Sequence, residues 1–147
     1  MAVLPIITGE NNPVLREKTR KVPKVTKEIL KLIRDMEETT LQAKGAGIAA
    51  LQAGRTERLC IALIQHKLVP LINPVITWKS EEKDIMEEGC LSLPELWIHI
   101  PRSLEIVLQY TDEAGKQVER KLTGWNARVV QHEVDHLDGV LIVDYKI

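Results

Sequence analysis

The chain contains the sequence Gln131-His132-Glu133-Val134-Asp135-His136 near its C-terminal end. The pattern His-Glu-x-x-His sets two histidines four residues apart, and residues at that spacing share one face of an α-helix. Two such imidazoles can bind one divalent metal ion, with Glu133 placed as a base for water at the metal. The alternative is a pair of hydrogen-bonded core histidines. We favour the metal because a glutamate lies between the two residues and the chain has 4 histidines in all.

The helix that carries this pattern is predicted to run from Thr123, as its N-cap, to about Asp138. Apolar residues occupy two of its faces, which indicates a largely buried helix. Trp125 and Val129 share the face of the two histidines. The metal is therefore expected at the end of an apolar pocket.

The His-Glu-x-x-His pattern leaves the third metal ligand open. Many zinc peptidases take it from a residue downstream, and Asp138 and Asp144 are the candidates that follow His136 here. Cys90 is the better candidate, because it follows a glycine in a predicted loop and its thiolate suits a site of two histidines and one cysteine. A buried structural thiol is the alternative role for Cys90. That role fits Cys60 better, since its neighbours in the sequence are apolar.

Composition indicates one globular domain that acts in the cytoplasm. The 147 residues are 44% hydrophobic and 28% charged, which is enough for one buried core. A formal net charge of −1 gives no general attraction to nucleic acid or to an anionic membrane. The sequence has no apolar run of membrane-spanning length and no signal-peptide pattern at its start. We therefore expect no membrane partner and no direct nucleic-acid partner.

The remaining pattern predicts an α+β fold. Residues 1–22 show little periodicity and are predicted to form an irregular arm. Residues 25–44 carry a single apolar stripe and are predicted to form a helix, with Thr26 as its N-cap. Predicted strands cover residues 58–65, 68–72, 75–78, 97–100, 104–111, 116–122 and 140–143, with a turn at 81–84 and a loop at 86–94.

The stretch Gly45-Ala46-Gly47-Ile48-Ala49-Ala50 matches the dinucleotide-binding fingerprint. That fingerprint follows a strand and opens a helix whose N-terminus holds the pyrophosphate. Here a predicted helix precedes it and a predicted strand follows, so we exclude nucleotide binding. Two close glycines instead allow the backbone of a loop to approach a ligand.

Three stretches together resemble the signature motifs of the peptide deformylase family. They are Gly45-Ala46-Gly47-Ile48-Ala49-Ala50-Leu51-Gln52, Glu88-Gly89-Cys90-Leu91-Ser92-Leu93-Pro94 and Gln131-His132-Glu133-Val134-Asp135-His136-Leu137. They occur in the order of the family and at about its spacing, and the resemblance covers essentially the whole chain. It implies one catalytic domain over residues 1–147, in which antiparallel β-sheets pack around a central C-terminal helix, with a second helix nearer the N-terminus.

The resemblance also implies an activity, the removal of the N-formyl group from the initiator methionine of nascent polypeptides with release of formate. It makes Cys90, His132 and His136 the ligands of one divalent metal ion and Glu133 the general acid and base. In the family this metal is usually Fe²⁺ in the cell, and Zn²⁺, Ni²⁺ or Co²⁺ can replace it. A ferrous ion bound by a thiolate is expected to be sensitive to oxidation.

Further roles follow from the resemblance alone. The side chain of Gln52 and the backbone N–H of Leu91 would stabilise the oxyanion of the tetrahedral intermediate. An extended peptide would lie against the backbone near Ala46-Gly47 and near Trp97 to His99. Its methionine side chain would enter a pocket built from Met86, Trp125, Val129 and the ring of His132. The predicted substrate-binding residues are Ala46, Gly47, Met86, Trp97, His99, Trp125 and Val129.

Two residues and the C-terminal end depart from the common pattern. Leu51 stands where many members have proline, a change that could relax the loop holding Gln52. Trp97 stands where some members have arginine, so contacts along the peptide are expected to differ. Many bacterial members continue into a C-terminal helix linked to ribosome docking, whereas this chain ends shortly after Asp144. A transient contact with the ribosome is therefore expected to be weakened.

Two alternative functions remain open from the residues. The first is an endopeptidase of the zincin type, which is disfavoured because Cys90 is a better third ligand than either downstream aspartate. The second is a metal-binding module without turnover, which would leave Glu133 and Gln52 without a purpose. Release of formate from a formylmethionyl peptide distinguishes the three.

Overall fold

The computed structural model describes residues 2–145, so Met1, Lys146 and Ile147 lie outside the described part of the chain. Within these residues the helices are α1 (Lys27–Ala43) and α2 (Gly124–Leu137). The strands are β1 (Gly47–Ala49), β2 (Leu59–Ile64), β3 (Lys67–Lys79), β4 (Lys83–Cys90), β5 (Leu93–Ser103), β6 (Glu105–Thr111) and β7 (Gln117–Thr123). Short 3₁₀ helices cover Pro13–Arg16, Ala50–Ala53 and Ile142–Tyr145.

The strands form two antiparallel sheets, and the expected α+β class is confirmed. One sheet has five strands in the order β1-β2-β3-β6-β7, and the other is the pair β4-β5. Strand β2 is buried on both faces. Successive side chains along a strand point to opposite faces, so the two faces can pack against different helices. Cys60 and Ala62 pack towards α2, while Leu59 and Ile61 pack towards α1. The helix that carries the two histidines therefore lies against the main sheet, in the position expected for a central helix.

Helix α1 begins as predicted, since the Thr26 side chain accepts a hydrogen bond from the backbone N–H of Ile29. It ends at Ala43, and the C-cap residue Lys44 adopts the left-handed conformation with φ of 55°. Thr123 occupies the N-cap position of α2, but its side chain makes no capping hydrogen bond. This residue is also the last one of β7, and its extended backbone continues the strand to the start of the helix.

The predictions between residues 66 and 103 were partly wrong. The strands expected at 68–72 and 75–78 form one strand, β3, with a register shift between Ile72 and Val75 where Asn73 has φ of 52°. Residues 83–84 and most of the expected loop at 86–94 lie in β4 and β5, which pair with each other. Local sequence does not reveal this pairing, because Asp84 and Glu88 of β4 are held by arginines that are distant in the chain.

Two further segments differ from prediction at their ends. Residues 140–143 were expected to be extended, but a 3₁₀ helix runs over Ile142–Tyr145. The arm is irregular as predicted, apart from the 3₁₀ turn at Pro13–Arg16, and its backbone makes long-range hydrogen bonds. The Ile7 N–H donates to the Gln52 carbonyl oxygen, and the Gly9 N–H donates to the Ser92 carbonyl oxygen.

Among the helices of residues 2–145, none has both the length and the apolar character needed to cross a membrane.

Gly139 ends α2 and permits a close backbone contact with the arm. Its φ is +75°, and a Cβ atom there would lie 2.6 Å from the carbonyl oxygen of Arg16. Gly115, in the β6–β7 turn, has φ of +82°, but a Cβ atom there would meet no other atom within 4 Å.

We expect Gly115→Ala to cost about 1 kcal/mol of unfolding free energy from backbone strain alone. Gly139→Ala should cost clearly more, measured by urea denaturation, and equal losses would contradict the contact.

Candidate active site

Three side chains that could hold a metal ion converge at the end of β4 and on α2. Cys90 lies at the end of β4, and His132 and His136 lie one turn apart on α2. Their ligand atoms all lie within 4.8 Å of one another, and Cys90 Sγ is 3.3 Å from His136 Nε2. The two aspartates that follow the helix are directed elsewhere, since Asp138 pairs with Arg58 and Asp144 pairs with Arg16.

The spacing and charge of this group fit a divalent metal ion. A tetrahedral metal with Zn–S and Zn–N bonds of about 2.3 and 2.1 Å separates its sulfur and nitrogen ligands by about 3.5 Å. The Sγ to Nε2 distance of 3.3 Å agrees with that separation. Burial lowers the pKa of His132, but its contacts with Cys90 and Glu88 raise that pKa to about 10. The surroundings of His132 therefore favour a positive charge, which a bound cation also supplies.

His136 is the neutral member of the pair. Burial and the charge of His132 both lower its pKa well below the usual value, so the ring keeps a lone pair for a metal. His132 uses Nδ1 to contact the Glu88 carboxylate at 2.9 Å, which leaves its Nε2 as the second ligand atom. Such a carboxylate fixes both the tautomer and the orientation of a metal-binding histidine.

Glu88 is the centre of a buried charge cluster. Its carboxylate accepts two hydrogen bonds from Arg102, at 3.0 and 2.9 Å, and a third from Arg128, in addition to its contact with His132. Both arginines are almost fully buried. Burial raises the pKa of Glu88, but hydrogen bonds from His132 and Arg102 outweigh it and lower the pKa to about 2. The carboxylate is therefore ionised throughout the neutral range.

Sequence reasoning did not find the arginines of this cluster. Arg128 had one available signal, because it stands between Ala127 and Val129 on a helix that was predicted to be buried. A buried arginine needs an acidic partner. Nothing in the sequence paired it with Glu88, which is forty residues away.

Glu133 lies beside the three candidate ligands as a buried carboxylate. Its Oε1 atom has no hydrogen-bond partner among residues 2–145. Burial raises its pKa, the charge of His132 lowers it, and the result is a pKa of about 7. The segment Gly45-Ala46-Gly47 is named the glycine loop. The Glu133 carboxylate can approach it because Gly47 has no side chain, and a Cβ there would lie 2.7 Å from Glu133 Oε2. A carboxylate with a pKa near neutrality can both accept and return a proton.

Gln52 lies in the 3₁₀ helix after β1 and is 2% exposed. Its Oε1 atom accepts a hydrogen bond from the Ala49 N–H at 2.9 Å, and its Nε2 atom donates to Ser92 Oγ at 3.0 Å. The same Nε2 lies 3.7 Å from Cys90 Sγ. The amide therefore lies next to the candidate metal ligands, close to Leu91, which lines the same pocket.

A pocket of about 410 Å³ opens onto this group. Five of the predicted substrate-binding residues line it: Ala46, Gly47, Trp97, Trp125 and Val129. Met86 and His99 are not among its lining residues. Met86 is opposite Ile100 in the β4–β5 pair and His99 is opposite Glu87. Both side chains are exposed on the hairpin, outside the pocket.

These features define a metal-dependent hydrolase, with two histidines on one helix, a cysteine from a strand end and a buried glutamate at an apolar pocket. The sequence pattern of the family described as polypeptide deformylase matches residues 3–146. The chain belongs to the peptide deformylase family. The peptide deformylase of Pseudothermotoga lettingae is 45% identical over 133 residues, covering 90% of this chain and 77% of that protein.

Solved structures of peptide deformylases have the same fold. The crystal structure from Thermotoga maritima superimposes with a TM-score of 0.95 and is 39% identical, covering 99% of this chain and 98% of that one. A structure from Acinetobacter baumannii, described as bound to Met-Ala-Ser, has a TM-score of 0.94 and 31% identity over 98% of both chains. The expected arrangement of sheets around the histidine-bearing helix is thereby confirmed.

The Glu88 cluster leads to a prediction about metal binding. Glu88→Gln keeps the shape of the side chain but leaves two buried arginines without their shared carboxylate. We expect the metal-free protein to lose roughly 3 kcal/mol of unfolding free energy. Metal affinity should fall roughly 10- to 100-fold, because a neutral amide orients His132 more weakly than the carboxylate does. Urea denaturation and competition with a chromophoric chelator measure the two effects.

Asp84→Asn is the matched control, because Asp84 also pairs with Arg128 but its side chain is 43% exposed. A partly exposed pair contributes less than about 1 kcal/mol. This variant should bind metal as the unmodified protein does. Equal metal affinity in Glu88→Gln and Asp84→Asn would show that Glu88 does not orient His132.

Proposed function

We propose that this deformylase removes the N-formyl group from the formylmethionine at the start of nascent polypeptides, giving formate and a free amino terminus. One observation carries the proposal. Cys90, His132 and His136 converge beside a buried carboxylate oxygen of Glu133 that has no partner among residues 2–145. This arrangement supports the assignment of Glu133 as a base beside a metal ion, at a pocket that can admit a chain terminus.

The metal would be held by the three converging side chains. A divalent ion bound there supplies Lewis acidity, which makes water a nucleophile near neutral pH and polarises the formyl carbonyl. We propose Fe²⁺ as the ion in the cell, with Zn²⁺, Ni²⁺ or Co²⁺ able to replace it, since imidazole and thiolate ligands suit all four. Metal analysis of protein purified without air tests this choice, and a different predominant metal would contradict it.

Glu133 would carry the proton through the reaction. Its carboxylate accepts a proton from the attacking water and later donates it to the nitrogen of the leaving amine. A pKa of about 7 supports both steps, because neither protonation state is strongly disfavoured at neutral pH. The absence of a side chain at Gly47 leaves room for the Glu133 carboxylate beside the pocket.

The negative oxygen that develops on the formyl carbon needs hydrogen-bond donors. We assign this role to the side-chain amide of Gln52 and the backbone N–H of Leu91. Gln52 Nε2 already lies 3.7 Å from Cys90 Sγ, and Leu91 directly follows that cysteine. Two fixed donors near one ligand stabilise an oxyanion more strongly than mobile water does.

The peptide itself would bind in an extended conformation. Strand β1 is the first strand of its sheet and pairs with β2 on one side, so its other edge can accept a further strand along Ala46 and Gly47. On the opposite wall, the ring of Trp97 lies against Gly89, where a Cβ would be 2.7 Å away. His99 would contact the peptide farther from the reacting bond.

The methionine side chain would enter the apolar part of the pocket. Trp125, Val129 and the ring of His132 line it, whereas Met86 lies outside it. Val129 is 4% exposed, whereas Trp125 is 53% exposed and is free to cover a bound side chain. The match to a relative bound to Met-Ala-Ser supports this substrate class.

We propose that residues 1–147 act as one catalytic domain in the cytoplasm, where nascent chains emerge from ribosomes. A transient contact with the ribosome would be compatible with this role. An endopeptidase of the zincin type is the second candidate, since the His-Glu-x-x-His helix is common to both. The pairing of Asp138 and Asp144 with arginines disfavours it, because neither is then available as a downstream ligand.

The proposal predicts formate release from formyl-Met-Ala-Ser by the Ni²⁺-loaded protein. Glu133→Gln should retain one metal ion per chain and lose at least about 100-fold in kcat, because the proton carrier is removed. Glu81→Gln, which changes an exposed carboxylate that does not line the pocket, is the control and should keep full activity. Cleavage of internal peptide bonds without formate release would replace the deformylase by the endopeptidase, and no turnover of either substrate would favour a metal-binding module.

A further inference from the structure

Ser92 is a fully buried residue beside the proposed oxyanion site. Its exposure is 0%, and its hydroxyl oxygen accepts a hydrogen bond from Gln52 Nε2 at 3.0 Å. Its own backbone carbonyl accepts the N–H of Gly9. Because this hydroxyl contacts the Gln52 amide, any effect of Ser92 on the site is expected to pass through that amide.

The two ends of the Gln52 carboxamide have different partners, and together they set its orientation. The Ala49 N–H donates a hydrogen bond to Gln52 Oε1 at 2.9 Å, which fixes the oxygen end of the amide. The NH₂ end therefore faces Ser92 and Cys90. Ser92 Oγ takes one of the two N–H bonds. The other is left on the side of Cys90 Sγ, at 3.7 Å, where the formyl oxygen is proposed to lie.

The same hydrogen bond joins the two chain segments that carry the oxyanion donors. Gln52 belongs to the 3₁₀ helix Ala50–Ala53, while Ser92 directly follows Leu91 in the β4–β5 turn. The arm supports both segments, because Ile7 bonds to the Gln52 carbonyl and Gly9 bonds to the Ser92 carbonyl. A change in the Gln52–Ser92 distance would therefore move one donor relative to the other.

We propose that Ser92 is a positioning residue for deformylation, which holds the Gln52 amide and the Leu91 N–H in the geometry that binds the oxyanion. The inference rests on the proposed function. Ser92 touches neither substrate nor metal and acts through Gln52. Ser92 is therefore expected to lower the free energy of the transition state and not that of the bound substrate, because the oxyanion forms only on the way through the reaction.

The first test compares Ser92→Ala with Ser92→Thr and with Ser103→Ala. Ser103 is another buried serine, whose hydroxyl donates to the Ser80 carbonyl oxygen at a distance from the pocket. For formyl-Met-Ala-Ser and Ni²⁺-loaded protein, we expect Ser92→Ala to lower kcat about tenfold with KM within about twofold. Ser92→Thr should recover most of kcat, and Ser103→Ala should not change it. An unchanged kcat in Ser92→Ala would overturn the inference.

A double-mutant cycle tests whether Ser92 acts through Gln52. In the Gln52→Ala background, adding Ser92→Ala should lower kcat by less than about twofold, because the amide to be positioned is gone. Equal fold-losses in the two backgrounds would overturn the inference. They would mean that Ser92 acts through another route.

A readout without turnover separates this inference from the proposed function. The side-chain NH₂ signals of Gln52, assigned by their loss in Gln52→Ala, should exchange slowly with solvent in the unmodified protein. In Ser92→Ala they should exchange faster and shift, whereas identical signals would overturn the positioning role. If the unmodified protein released no formate, the proposed function would fail, and the amide signals alone would then judge the Gln52–Ser92 contact.

Discussion

The buried carboxylate of Glu88 is the constraint on which the site depends. It comes from β4 and bonds to Arg102 on β5, and to Arg128 and His132 on α2. The small hairpin is thereby fixed to the helix at the level of the histidines. Cys90 follows Glu88 by two residues, so fixing the carboxylate also fixes where the thiol can lie. Buried ion pairs add little net stability against an apolar replacement, and the gain here is the placement of one side chain against another.

The sequence predicted those features that local spacing determines. The interval between His132 and His136, the apolar stripes of both helices and the two glycines of the loop depend on residues close to one another. Cys90 was reached by the chemistry of its donor atom and by family resemblance. The resemblance also supplied Gln52, which no local pattern distinguishes from an ordinary polar residue in a loop.

Features set by distant pairing could not be predicted in the same way. Strand β4 contains acidic residues that suggest a turn, yet Asp84 and Glu88 are neutralised by arginines from other elements. The single strand β3 was divided in the prediction because Asn73-Pro74 is typical of a break between strands. In the structure the Asn73 side chain bonds to the backbone of Val22, which stabilises the left-handed conformation inside the strand.

Three segments that are far apart in the chain thus form one site, namely the glycine loop, the end of β4 and helix α2. The central claim is that Cys90, His132 and His136 together hold one metal ion. X-ray absorption at the metal edge of the Zn²⁺-loaded protein tests it most directly. We predict one sulfur ligand at about 2.3 Å and two imidazole nitrogens at about 2.0–2.1 Å. A ligand shell without sulfur, or with a single imidazole, would contradict it.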